Sequence, residues 1–174
     1  IYPSDFLKDA ISSLKHVVDS DIQIESNLPS NILSIEADKA QMQMILSAII
    51  ANSNDAIEDG GHIIISVKNL EIDENFMRVS PVLEPGPYVS ITFEDDGKGM
   101  DEETRERIFE PFFTTRSKGT GLGLAYALQV VRAHNGTITA RNRSKRGACF
   151  SVAVPLNIAP IPSRNGTPFD TGRQ

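Results

Sequence analysis

Cysteine is nearly missing from this chain. The single thiol, Cys149, excludes an intrachain disulfide framework and fits a reducing compartment. Long hydrophobic runs are missing too. The longest, Met44 to Ala51, is interrupted by Ser47 and is far too short to cross a bilayer. No segment at the N-terminus has the basic-then-apolar layout of a secretion signal. An excess of positive charge is also absent, with 17 Lys and Arg against 23 Asp and Glu, a net charge of −6. That leaves no electrostatic reason to expect nucleic acid or an anionic membrane as the main partner. No internal repeat is visible. The 40% of hydrophobic residues is too many for a disordered chain. A length of 174 residues suits one domain, which would bury about two-thirds of its unfolded surface. The chain begins at Ile1, without Met, and reads as part of a longer protein, whether soluble or membrane-anchored. The expected location of this part is the cytoplasm.

What the chain does have is periodicity and two glycine-rich turns. Pro3-Ser4-Asp5 reads as a helix start with Ser4 as N-cap, and Leu7, Ile11, Leu14 and Val18 share one helical face. Residues 21–26 alternate like a strand. Met42, Ile45, Leu46, Ile49, Ser53, Ala56 and Ile57 form a second helical stripe, which Gly60-Gly61 stops. Strands are expected at His62 to Lys68 and Tyr88 to Glu94, with an irregular or hairpin excursion over 69–86. A helix is expected from Gly121 to His134. A closing hairpin should run from Thr137 to Asn142 and Cys149 to Pro155 through Lys145-Arg146-Gly147. After Leu156, three prolines and no apolar periodicity indicate a tail or linker over 157–174. Residues 1–20 form an N-terminal helix, either a junction to a further helical domain or part of this domain's own core, and 21–156 form the main domain. Strands and helices mix without regular βαβ alternation. That pattern indicates an α+β fold, a mixed, mostly antiparallel sheet covered on one face by helices.

The first glycine turn is Asp95-Asp96-Gly97-Lys98-Gly99 and the second is Gly119-Thr120-Gly121-Leu122-Gly123-Leu124. Between them lies Phe109-Glu110-Pro111-Phe112-Phe113-Thr114-Thr115. Glycine lets backbone approach a ligand and adopt positive φ. A glycine turn that opens a helix offers unpaired N–H groups and a positive dipole end to phosphate. One such turn is weak evidence, but two at this spacing point to a nucleotide site. Arg116 and Lys118, just before the second turn, are either phosphate-pairing cations or solvated surface. Thr120 adds a hydroxyl donor.

With these motifs in this order the chain resembles the ATP-binding catalytic domain of sensor histidine kinases, in the superfamily shared with DNA gyrase B, Hsp90 and MutL. The N box resembles Asp38 to Ile57, the G1 box Asp95 to Met100, the F box Phe109 to Thr115 and the G2 box Gly119 to Leu124, with Gly136-Thr137-Ile138 closing the set. The resemblance covers about residues 1 to 156 and implies a two-layer α/β sandwich of the Bergerat type that binds ATP and Mg²⁺. It implies that Asp95 accepts a hydrogen bond from the adenine amine, where guanine would present a repelled carbonyl. The discrimination at stake is about 1–3 kcal/mol, that of an unpaired buried polar group. Gly97, Gly99, Met100 and Leu122 would be among the ATP-binding residues, while Gly119, Gly121 and Gly123 would wrap the triphosphate. Asn52 would offer its amide oxygen to Mg²⁺, a hard ion that takes few protein ligands. Asn54, two residues on, would face elsewhere.

Two positions depart from the family. Four residues before Asn52, hydrolysing relatives carry Glu and kinases commonly carry Asn, whereas here stands Ala48, which can be neither base nor ligand. Three residues after Asn52, many kinases have a basic residue near phosphate. Here it is Asp55, whose phosphate contact is in doubt unless it acts through water on the metal.

None of His16, His62 or His134 sits in an H box, so each reads as structural and the phosphoacceptor His lies outside this chain. The expected partners are a dimeric helical domain of the same parent that carries that His, and a downstream response regulator; this part alone should be monomeric. The alternative reading is a non-catalytic ATP-sensing interaction module with a degenerate site. A gyrase- or MutL-type ATPase is disfavoured by Ala48. The phenylalanines of the F box read as packing, or as a surface that docks the helical domain. Cys149 is either near Asp95 at the pocket floor or a small buried thiol.

Overall fold

The computed structural model describes residues 1–73 and 83–156. The expected tail lies outside them, as does most of the excursion between the second and third strands. Helix α1 spans Pro3–Leu14, β1 Ile22–Asn27, α2 Lys39–Ala56, β2 Gly61–Ile72 and β3 Gly86–Asp95. Then follow α3 at Glu102–Arg107, α4 at Gly123–Ala133, β4 at Thr137–Asn142 and β5 at Ala148–Pro155. The five strands form one sheet in the order β1-β2-β3-β5-β4. The pair β1–β2 is parallel and the other three pairs are antiparallel. The expected α+β fold is the one observed.

Period-two alternation sorts the sheet. Ile63, Ile65 and Val67 of β2, Val89, Ile91 and Phe93 of β3, and Phe150, Val152 and Val154 of β5 all point to one face and are buried. Helix α2 covers that face through Met42, Ile45, Leu46 and Ile49, and α4 does so through Ala127, Val130 and Val131. Helix α1 adds Phe6, Leu7, Ala10, Ile11 and Leu14 to the same core, so its apolar stripe is spent inside this domain. On the other face β2 offers Ser66 and Lys68, and β3 Ser90, Thr92 and Glu94, as suits an antiparallel sheet with one solvated side. A small cluster of Ile72, Leu83, Tyr88 and Ala153 sits there.

Three local expectations change. Ser4 is not the N-cap of α1: Tyr2 takes that position, and Ser4 lies inside the first turn, buried, donating its hydroxyl to the Pro29 carbonyl at 2.6 Å. Residues 69–72 and Gly86, assigned to an irregular or hairpin excursion, continue β2 and β3, because their pairing persists to Ile72 opposite Gly86. The helix expected from Gly121 begins at Gly123, because Gly121 has φ 68°. Asp38 caps α2 by accepting from the Gln41 N–H at 2.8 Å.

Leu46 has no exposed surface. Leu46→Ala should lower the unfolding free energy by about 2–5 kcal/mol in a urea titration. Met44→Ala, on the exposed side of the same helix, should change it by less than about 0.5 kcal/mol.

Candidate functional site

Strand β3 ends by burying a carboxylate. Asp95 is fully enclosed, which is costly for an acid unless its oxygens are bonded. Oδ1 accepts from the Gly97 N–H at 3.1 Å and the Ala148 N–H at 3.0 Å, and Oδ2 accepts from the Ser53 hydroxyl at 3.0 Å. A carboxylate has about four acceptor sites, so one remains, on Oδ2. Gly97 packs under α2. A Cβ there would lie 2.6 Å from the Ala56 carbonyl, and the next residue, Lys98, donates its N–H to that carbonyl at 2.9 Å. Gly99 has φ 73°.

An open cleft lies between α2, the first glycine turn, α3 and the segment 113–121. Asn52, Asp55, Gly99, Met100, Arg116, Gly119, Thr120, Gly121 and Gly123 line it, so most of the expected site residues are brought together. Four are not on its wall. Asp95 and Gly97 lie buried beneath it, Lys118 is exposed away from it, and Leu122 lines a neighbouring groove. Asn54 faces elsewhere as expected, bonding Asp19 through both amide atoms at 2.9 and 3.2 Å.

The segment over the cleft folds on itself. Phe112 donates its N–H to the Gly121 carbonyl at 2.9 Å. Gly121 must be glycine, since a Cβ would lie 2.4 Å from the Phe112 backbone. Arg116 pairs with Asp55 across the cleft. Ala48 lies in the cleft wall where the N-terminus of α4 comes close, 3.4 Å from a Cβ built on Gly123. The first N–H groups of α4 have no side-chain cap.

The phenylalanines divide their labour. Phe109 packs on the core, Phe113 lines the cleft with the Arg107 guanidinium 4.5 Å from its ring centre, and Phe112 is 75% exposed. Phe112, Leu122 and Tyr126 share the neighbouring groove.

Cys149 is not at the floor beside Asp95. It pairs in register with Glu94, so period two sends its side chain to the opposite face of the sheet, where it is buried near Ser151. Ser53 supplies the supporting hydroxyl instead, and Ala148 the neighbouring N–H. Sequence reasoning placed Ser53 on the apolar stripe but gave it no role; a lone hydroxyl among Ile45, Leu46 and Ile49 was the available signal. Asp96 accepts from the His62 N–H at 2.9 Å and pairs with His62 Nδ1 at 3.2 Å. His134 closes α4: its ring meets the Val130 carbonyl through Nδ1 at 2.8 Å and receives the Asp38 N–H through Nε2 at 3.4 Å. Both contacts are met by the neutral ring protonated on Nδ1.

Residues 37–158 match the family of histidine kinase-, DNA gyrase B- and HSP90-like ATPases. The chain belongs to this family, and within it has the ATP-binding catalytic domain of the sensor histidine kinases. It is 33% identical over 138 residues to the sensor histidine kinase ZraS of Escherichia coli (strain K12), covering 79% of this chain and 26% of that relative. It therefore spans about a quarter of ZraS. The catalytic domain of histidine kinase ThkA in a nucleotide-free form superposes with a TM-score of 0.69 at 25% identity, over 88% of this chain and 94% of that one. ThkA in complex with the response regulator TrrA gives 0.69 at 21% identity, over 89% and 40%, a likeness of fold.

The Asp96 carboxyl is pushed up by burial, but the His62 backbone and ring bonds outweigh this and hold it below its ordinary value. Its contribution to stability is therefore present above the unfolded value, roughly pH 4, and is lost as pH falls through the lower folded value. Urea midpoints measured against pH should show the wild type above Asp96→Asn at about pH 5. That margin should shrink below about pH 4.

Proposed function

We propose that this domain binds ATP with Mg²⁺ in the cleft and presents the γ-phosphate to a His on a separate helical domain, for relay to a response regulator. The observation that carries the reading is the unfilled acceptor site on Asp95. Three of its lone pairs are held by the protein, and the fourth suits one N–H donor, the exocyclic amine of adenine. The carboxylate has no exposed surface, so a base reaches it when the wall above it parts.

The residues present fit Mg²⁺ as well. Asn52 offers a hard oxygen in the cleft wall, and Asp55 is placed to act through water or to hold Arg116. Arg116, Thr120 and the free N–H groups of α4 face the same cleft and would carry the phosphates. Ala48 in the wall can serve neither as a base nor as a ligand, so catalysis is assigned to positioning and charge neutralisation. The exposed groove of Phe112, Leu122 and Tyr126 is the apolar face suited to the helical domain. This part of the protein would act as a monomer and in the cytoplasm.

The alternative, an ATP-sensing module without transfer, is favoured by the Arg116–Asp55 pair, which occupies a phosphate-binding cation.

Calorimetric titration should show Mg²⁺-assisted ATP binding with GTP silent, weakened about ten- to hundredfold in Asp95→Asn. Asn52→Ala should remove the Mg²⁺ dependence. Radiolabel should then pass from ATP to an added helical domain bearing the acceptor His. Binding without transfer would favour the sensing module, and no binding at hundreds of micromolar would defeat both readings.

A further inference from the structure

The hairpin between β4 and β5 reaches back over the first glycine turn and holds it along its whole length. Arg143 Nη1 donates to the Asp95 carbonyl at 3.0 Å, and Arg146 Nε donates to the Gly97 carbonyl at 3.2 Å. Asn142 brackets Met100 from both sides, accepting its N–H at 2.9 Å and donating Nδ2 to its carbonyl at 2.7 Å. Gly147 brings the hairpin against the turn so closely that a Cβ there would lie 1.9 Å from the Asp95 carbonyl oxygen. Its φ of 93° and the Arg143 N–H to Gly147 carbonyl bond of 2.9 Å shape the hairpin end for this approach. The next residue, Ala148, supplies the N–H on Asp95 Oδ1. Glu94 lies 3.8 Å from Arg143 Nε and steadies that guanidinium from the β3 side.

We infer that Asn142 and Arg143 are positioning residues for purine selection: the hairpin is a clasp that fixes where the free lone pair of Asp95 points. The inference rests on the adenine reading of Asp95. Its physical basis is that a carboxylate discriminates between purines by direction as well as charge, since a hydrogen bond prefers an angle above about 150° and weakens steeply below about 120°. Ser53 and the Gly97 and Ala148 N–H groups orient the carboxylate itself. The clasp orients the backbone that carries it, gripping carbonyls at Asp95 and Gly97 and both backbone atoms at Met100. None of these clasp side chains lines the cleft, so their effect on the nucleotide passes through the turn.

The test measures the dissociation constants of ATP and of purine riboside triphosphate, which lacks the 6-amino group, by calorimetry on this domain. Partial unfolding weakens both ligands alike and cancels in their ratio. Asn142→Ala and Arg143→Met should each lower the preference for ATP by about two- to tenfold while leaving the analogue's affinity nearly unchanged. Arg143→Lys, which keeps one donor, should restore part of the preference. Asp95→Asn should abolish it. Should Asp95→Asn abolish the preference while Asn142→Ala and Arg143→Met keep it whole, the clasp has no part in selection and the inference is overturned. A preference that survives Asp95→Asn overturns the adenine reading itself, and the clasp's role with it. If Asn142→Ala fails to fold, the Arg143 pair of variants decides alone.

Discussion

A buried carboxylate governs this architecture. An acid placed without exposure at the end of a central strand must have its oxygens bonded, and each missing partner costs about 1–3 kcal/mol. Asp95 meets that demand from three directions: Ser53 on α2, Gly97 in the turn and Ala148 at the start of β5. Those partners fix the height of α2 over the sheet, force glycine where the turn runs under Ala56, and bring the β4–β5 hairpin against the end of β3. The order β3-β5-β4 at that edge follows. The end of β3 beneath the cleft is therefore tied to three elements at once.

The opposite end is built on other principles. Its cations and hydroxyls are exposed, and its segment closes on itself through the Phe112–Gly121 backbone bond and across the cleft through Arg116 and Asp55. An ion pair with both partners more than two-fifths exposed contributes little stability. It suits a contact that phosphate displaces. Under the proposed function, Arg116 would exchange one carboxylate for a more highly charged partner, and Asp55 would be freed towards the metal's water shell.

Much of this was legible in the sequence. The stripe from Met42 to Ile57, the alternation of β2, β3 and β5, and the two glycine turns each carry a periodicity or a backbone requirement that survives folding. The parallel β1–β2 pair was not legible: a six-residue strand and a helix give no sign of whether the crossover returns beside its start. The length of the β2–β3 pair was hidden because the alternation changes phase, from apolar Ile63, Ile65 and Val67 to apolar Leu70 and Ile72, and pairing across the hairpin carries the strand through that change. Among site residues, glycines and charges on the cleft wall could be read from their motif. Ser53 and Ala148 could not, because one acts through a hydroxyl inside an apolar stripe and the other through a backbone N–H, which no side chain announces. Cys149 takes the second of its two readings, a small buried thiol, because one step along a strand changes the face of the sheet.

Ala48 ties the two ends together. A Glu or Asn at this position would put a polar side chain where α4 begins, and Gly123 meets the wall there with no Cβ of its own. The small residue lets the uncapped N–H groups of α4 come close to the helix that carries Asn52. On the proposed reading, the site gives up a base for water, and the positive, uncapped end of α4 would lie close to the phosphates. A transferase that must hold its γ-phosphate for a His rather than lose it to solvent is served by that exchange. Hydrolysis needs a group to activate water, while transfer needs the phosphate held in place until the acceptor arrives.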